Sequence, residues 1–93
     1  MKIKKSKNIL FRIIDDEVII INPVNSKCIL LNSTGSYIWQ LLQENKWLEL
    51  DLIVDSLLDN FHVSKIKLRS DIKDFFNKLL EHQIVKIDKV DNA

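Results

Sequence analysis

The sequence predicts an α+β domain: a three-stranded antiparallel sheet followed by three helices, in the order β-β-β-α-α-α, with a short C-terminal strand. Three observations support this. Composition shifts near residue 32, and before that point lie three short runs rich in β-branched residues. After it, apolar residues recur three and four positions apart, the spacing of a buried helix face. Between the two halves lies a polar corner, Asn32-Ser33-Thr34, followed by the chain's only glycine, Gly35.

The first run is Ile9-Leu10-Phe11-Arg12-Ile13-Ile14, and Asp15-Asp16-Glu17 makes a tight polar connection to Val18-Ile19-Ile20-Ile21. Asn22-Pro23-Val24-Asn25-Ser26 is a turn, because proline fixes its own φ and Asn and Ser side chains bond nearby backbone. Lys27-Cys28-Ile29-Leu30-Leu31 is the third run. Apolar runs bounded by short turns read as antiparallel strands, here a meander. The corner residues can cap helix N–H groups, and Tyr37, Ile38, Leu41 and Leu42 stripe a first helix over about 33–44. Leu50, Ile53, Val54, Leu57, Leu58 and Phe61 stripe a second over about 49–61, with Glu49, Asp51, Asp55 and Asp59 on its other face. Leu68, Ile72, Phe75, Phe76, Leu79 and Leu80 stripe a third over about 65–82, with Ser64 as its cap. Ile84-Val85-Lys86-Ile87 has strand content and serves as a fourth strand or wing. The lysine-rich start, residues 1–7, reads as a solvated, frayed end, and the tail from Asp88 as loose.

The length of 93 residues makes this one domain with one core. Formal charge is +1, from 14 basic and 13 acidic residues, so nothing drives the chain globally toward nucleic acid or an anionic membrane. One cysteine, Cys28, forbids an internal disulfide and fits a reducing cytoplasm. No apolar run approaches the ~20 residues that span a bilayer, and no signal-peptide pattern opens the chain.

Catalytic or metal chemistry finds little support. His62 and His82 lie near helix ends without a Cys or His at ligand spacing. Cys28, mid-strand, reads as a small buried hydrophobe with no base nominated beside it. One glycine cannot make a phosphate loop, and the acids at 15–17 read as a solvated hairpin tip. No cofactor, metal or enzymatic activity is expected. Trp39 reads as core, and Trp47 as packed under the second helix.

Two binding readings remain. In the first, the second and third helices form a helix-turn-helix with residues 84–87 as its wing, a winged DNA-binding module. The third helix then reads the groove with Lys65, Lys67, Arg69, Lys73 and Lys78, but Asp71, Asp74 and Glu81 reduce its net charge to +2, and an acidic second helix lies beside it. Phosphate contacts supply most nucleic-acid affinity, so this charge pattern opposes it. In the second reading, an edge strand beside a helix takes an extended peptide as an added strand. The third run has one lysine at its start and no proline, so at a sheet edge it is a template for another chain. Cys28 and Leu30 face one way, and Lys27, Ile29 and Leu31 the other. Part of the wide third-helix stripe then walls a groove, with Lys73 and Lys78 at its rim favouring an acidic peptide.

The segment Leu30-Leu31-Asn32-Ser33-Thr34-Gly35-Ser36-Tyr37-Ile38-Trp39 resembles the L-L-N-x-T-G-x-x-I-W corner of the PqqD-like family. The resemblance continues through 49–61, then Asp71-Ile72-Lys73-Asp74-Phe75-Phe76-Asn77-Lys78-Leu79, then Ile84-Val85. It departs at His82-Gln83, where many relatives place glycine. The resemblance implies a winged-helix-like domain, the RiPP recognition element, which binds the leader of a ribosomally made precursor and delivers it to a leader peptidase, cyclase or radical enzyme. Carried over, the floor is Lys27, Cys28, Ile29, Leu30 and Leu31, and the wall is Asp71, Asp74, Phe75, Lys78 and Leu79. Such domains serve pyrroloquinoline quinone synthesis, lasso-peptide maturation and other pathways. The Lys/Ile/Asn-rich composition favours a lasso or related antimicrobial-peptide pathway. An open edge strand also permits pairing between two copies.

Overall fold

The three β-branched runs pair as expected, in a meander of β2 (Leu10–Ile14), β3 (Glu17–Asn22) and β4 (Lys27–Leu30), preceded by β1 (Lys2–Lys5). The computed structural model describes residues 1–60 and 62–88. After the meander come α1 (Ser33–Leu41), β5 (Leu48–Glu49), α2 (Leu50–Leu58), α3 (Lys65–Glu81) and β6 (Val85–Asp88). Phe61 and the tail beyond residue 88 lie outside the described residues.

The turns explain the register. Asp15 and Asp16 have φ of 50° and 66°. Two successive left-handed residues make the two-residue turn whose twist matches a right-twisted hairpin, and Asp tolerates that conformation better than most residues. In the next turn, Asn22 Oδ1 accepts from the Val24 N–H at 2.9 Å, and Asn25 Oδ1 from the Lys27 N–H at 3.1 Å. Asn22 is buried, and its Nδ2 donates to the His82 carbonyl at 2.9 Å, tying the meander to the end of α3.

At the corner, Asn32 caps α1 by accepting from the Gly35 N–H at 2.8 Å. Ser64 stands at the N-cap of α3 but makes no side-chain cap bond. The C-terminus of α3 closes with the Gln83 N–H on the Leu80 carbonyl and the Ile84 N–H on the Leu79 carbonyl, both 3.0 Å. That pair defines a Schellman motif. Its turning residue is Gln83, at φ 60°. This is where many relatives carry glycine, the residue that enters the left-handed region without steric cost.

The N-terminal lysines correct the expectation of a frayed end. Strand β1 is the centre of a second sheet, ordered β5-β1-β6. Ile3 is fully buried, and its antiparallel partners are Leu48 and Ile87. The lysines are anchored along their stems. Lys4 Nζ lies 4.5 Å from the centroid of the Trp47 ring, and Lys5 Nζ lies 4.5 Å from Trp39 and 4.6 Å from Phe11. Burial pushes the Lys5 ammonium below its ordinary value, and Glu44 partly opposes this. The strand escapes sequence reading because one apolar residue among four gives no period, and its partners are over forty residues away. The C-terminal segment is a strand, as expected, but it pairs with β1 instead of forming a hairpin wing.

One core joins both sheets to the helices. Trp39 and Phe76 are fully buried within it, among Val18, Ile20, Leu50, Val54, Leu57 and Ile84. Trp47 lies at the surface, 38% exposed, beneath Lys4.

Candidate functional site

Strand β4 ends the meander and has a neighbour strand on one side only, among the described residues. The Leu31 N–H donates to the Val18 carbonyl at 2.9 Å. Antiparallel ladders alternate, so Ile29 also directs its backbone toward β3. Cys28 and Leu30 therefore present their N–H and C=O groups to the open side. The ladder is spread at its upper end by Ser36. This buried hydroxyl accepts from the Val18 N–H at 2.8 Å and donates to the Leu31 carbonyl at 3.3 Å, locking α1 to the last bond of the sheet.

Beside the open edge runs a cleft of about 430 Å³, bounded by β4, the corner and α3. Its strand side is Ile29, Leu30 and Leu31. Asn32, Thr34, Gly35 and Ile38 close the corner. Leu68, Asp71, Ile72, Phe75, Lys78, Leu79 and His82 come from α3 and its cap. Those positions repeat at three and four residues, so they form one face of the helix. Gly35 permits the close approach. A Cβ there would stand 3.2 Å from Phe75 Cε1, so the missing side chain leaves room for the ring. Phe75 is half-buried, with its ring centroid 5.6 Å from that of Phe76.

Of the residues read from the sequence, Ile29, Leu30, Leu31, Asp71, Phe75, Lys78 and Leu79 come together in this cleft. Lys27, Cys28 and Asp74 do not line it. Asp74 and Lys73 lie together with Arg69 around a second depression on another face of α3. The rim therefore carries one acid, Asp71, and one base, Lys78, instead of a pair of lysines. Cys28 is exposed, against the expectation of a buried thiol: its register partner is Ile21, and both lie on the outward face of the sheet. The α3 stripe divides between two tasks. Ile72, Phe76 and Leu79 are buried, Phe75 and Leu68 are half-buried toward the cleft, and Leu80 is 38% exposed outside it.

Sequence reasoning missed the corner and His82 as lining residues. The capping pattern at Asn32 held that signal, since a capped corner at the end of an edge strand must floor whatever lies beside the strand. His82 adds a buried Nδ1 without a partner at the cleft's lower end. Two bases of α3 reach α2, with Arg69 Nε 3.1 Å from Asp51 Oδ1 and Lys65 Nζ 3.3 Å from Asp55 Oδ1, while Lys67 Nζ lies 3.8 Å from Asp71 Oδ2 within α3. Among the described residues, no group of three or more His, Cys, Asp or Glu side chains is placed to hold a metal, and no helix is long and apolar enough to cross a membrane.

An edge strand, a capped corner and a helix-walled cleft are the parts of a peptide-docking fold. The family model described as coenzyme PQQ synthesis protein D (PqqD) matches residues 17–85, and the chain belongs to that family. Among solved structures, the chain is similar to "TbiB1 in Complex with the TbiA(beta) Leader Peptide". The TM-score is 0.81 at 29% identity, over 91% of this chain and 99% of that one. No curated protein matches the chain.

Proposed function

We propose that this protein binds the leader segment of a ribosomally synthesised precursor peptide, taking it as an added strand on β4 against α3, and presents the precursor to a maturation enzyme. The protein performs no chemistry itself on this reading. The observation that carries the proposal is the unpaired edge of β4 beside an apolar cleft. The similar structure, TbiB1, is described as a complex with a leader peptide, which supports the same occupant here.

On this reading each part of the cleft has a role. Cys28 and Leu30 supply backbone hydrogen bonds, each worth about 1 kcal/mol net. Phe75, Leu68 and Ile29 offer half-buried surface to two or three apolar anchors of the guest, worth roughly 1.5–3 kcal/mol each when fully buried. Ordering a free peptide removes part of this gain. The balance is a dissociation constant of about micromolar, near −8 kcal/mol. Asp71 and Lys78 set the polar rim. The receiving enzyme is a leader peptidase or cyclase of a lasso-type or related antimicrobial-peptide pathway, a choice supported by the Lys/Ile/Asn-rich composition.

Titration of the isotope-labelled protein with the leader peptide of its cognate precursor tests the proposal. Amide shifts should concentrate in β4, the corner and the cleft face of α3. Shifts confined to α2, or saturation only at millimolar peptide, would overturn it.

A further inference from the structure

The cleft face of α3 carries a ridge of four positions, Asp71, Phe75, Lys78 and His82, spaced four, three and four residues apart. At 1.5 Å per residue, the last three stand about 6, 10.5 and 16.5 Å beyond Asp71 along the helix. Charge is satisfied at one end only. Asp71 Oδ2 lies 3.8 Å from Lys67 Nζ. Lys78 has no ion-pair partner among the described residues, although Asp74 stands one turn before it and Glu81 one turn after. Neither of those acids lines the cleft.

His82 adds a second donor. Its Nδ1 is buried and has no hydrogen-bond partner among the described residues. A proton on that nitrogen would be a buried donor without an acceptor, so the neutral ring carries its proton on Nε2. Bare carbonyls at a helix C-terminus repel an anion, but here they are engaged. Those of Lys78, Leu79 and Leu80 accept from the His82, Ile84 and Gln83 N–H groups, and that of His82 accepts from Asn22 Nδ2. Among the described residues, the lower end of the cleft therefore offers an ammonium and an imidazole N–H, and no acid.

The direction of a guest strand follows from the frame. Lys27, at the start of β4, pairs with Asn22, whose side chain bonds the His82 carbonyl. Beyond the other end of β4, Gly35 meets Phe75. Strand β4 therefore runs antiparallel to α3, and a guest paired antiparallel to β4, the more stable pairing, runs parallel to α3. Its side chains face the helix at every second residue, about 6.8 Å apart. When one of them covers Phe75, the next toward the guest's C-terminus falls about 12.8 Å beyond Asp71, between Lys78 and His82.

We propose that Lys78 and His82 form a carboxylate subsite: Lys78 Nζ and His82 Nε2–H hold an Asp or Glu of the leader, two residues C-terminal to the apolar residue that covers Phe75. This rests on the leader-binding reading above and adds to it an ordered signature, apolar-x-acid.

Isothermal titration tests it with wild type, Lys78→Met, His82→Leu and His82→Gln, against the cognate leader and variants in which each Asp or Glu is changed in turn to Asn or Gln. The apolar residue is identified by its coupling to Phe75→Ala, and urea unfolding checks that each variant is folded. Neutralising one acid, two residues after that apolar residue, should weaken binding about tenfold. Lys78→Met and His82→Leu should each cost about five- to tenfold with the native leader and little with the neutralised one, while His82→Gln, which keeps an N–H donor, should stay within about twofold. Should His82→Leu fail to fold, Lys78→Met against the leader variants decides. Losses that add to that of the neutralised leader overturn the inference. So does a leader whose acids are all dispensable, or whose critical acid precedes the apolar residue; in each case leader binding itself stands. Failure of wild type to bind leader overturns both readings.

Discussion

Replacing Phe75 with alanine removes the largest side chain that the cleft offers to a guest. Fully burying a Phe side chain is worth about 1.5–3 kcal/mol. Phe75 is half-buried in the free domain, against Phe76 and over Gly35, so about half of that gain remains for the guest. The expected loss is about 0.8–1.5 kcal/mol, roughly a four- to twelvefold rise in the dissociation constant. The fold should survive. Deleting a buried Phe costs about 3–5 kcal/mol, and half of that is about 2. A domain of this size holds roughly 5–14 kcal/mol. Isothermal titration with the leader gives the affinity, and urea unfolding gives the stability. Leu80→Ala is the control, since Leu80 lies outside the cleft. A folded Phe75→Ala protein with wild-type affinity, or an equal loss in the control, refutes the assignment of the cleft.

Three further outcomes follow from the same contacts. Ser36→Ala strands the Val18 N–H in the interior, so unfolding free energy should drop by about 1–3 kcal/mol in urea titration; a change under 0.5 shows the hydroxyl is not the bond that joins α1 to the sheet. Gln83→Gly relieves the left-handed turn after α3 and should raise stability by about 0.5–1 kcal/mol, net of the glycine's extra freedom when unfolded; a loss would place some other demand on that side chain. Lys5 has a folded-state pKa below its ordinary value of 10.5, so the unfolded chain holds that proton more tightly within the window between the two. Stability of wild type relative to Lys5→Met should therefore rise as pH climbs toward the ordinary lysine value of 10.5, and a fall would mean that Glu44, not burial, dominates.

Much of this architecture was legible because its signals are local. The meander announces itself by β-branched runs between turn residues, and the helices by their apolar stripes. A three-strand sheet has two edges, so an open edge was expected, while the placing of the third run at one of them comes from the structure. What stayed hidden depends on distant partners. Strand β1 shows one apolar residue among lysines, and becomes a strand only through Leu48 and Ile87. Cys28 was misread because a free cysteine in mid-strand suggests burial, whereas it lies on the outward, exposed face of the sheet opposite Ile21. The stripe of α3 reads as wider than one core seam needs, with part of it walling a groove, but the sequence does not say which residues fall to each. Its division between core and cleft turns on rotations of about 100° per residue, which separate Leu79 from Leu80 and Asp71 from Asp74 only once the strand beside the helix is placed.

The account stands on the edge of β4 being open to a guest backbone. Hydrogen exchange of the Cys28 and Leu30 amides, with and without leader, measures this most directly. In the free domain both should exchange quickly while Ile29 is protected by β3. Saturating leader should slow Cys28 and Leu30 by about a hundredfold or more, leaving Ile29 little changed. Fast exchange at both positions in the saturated complex would contradict the account.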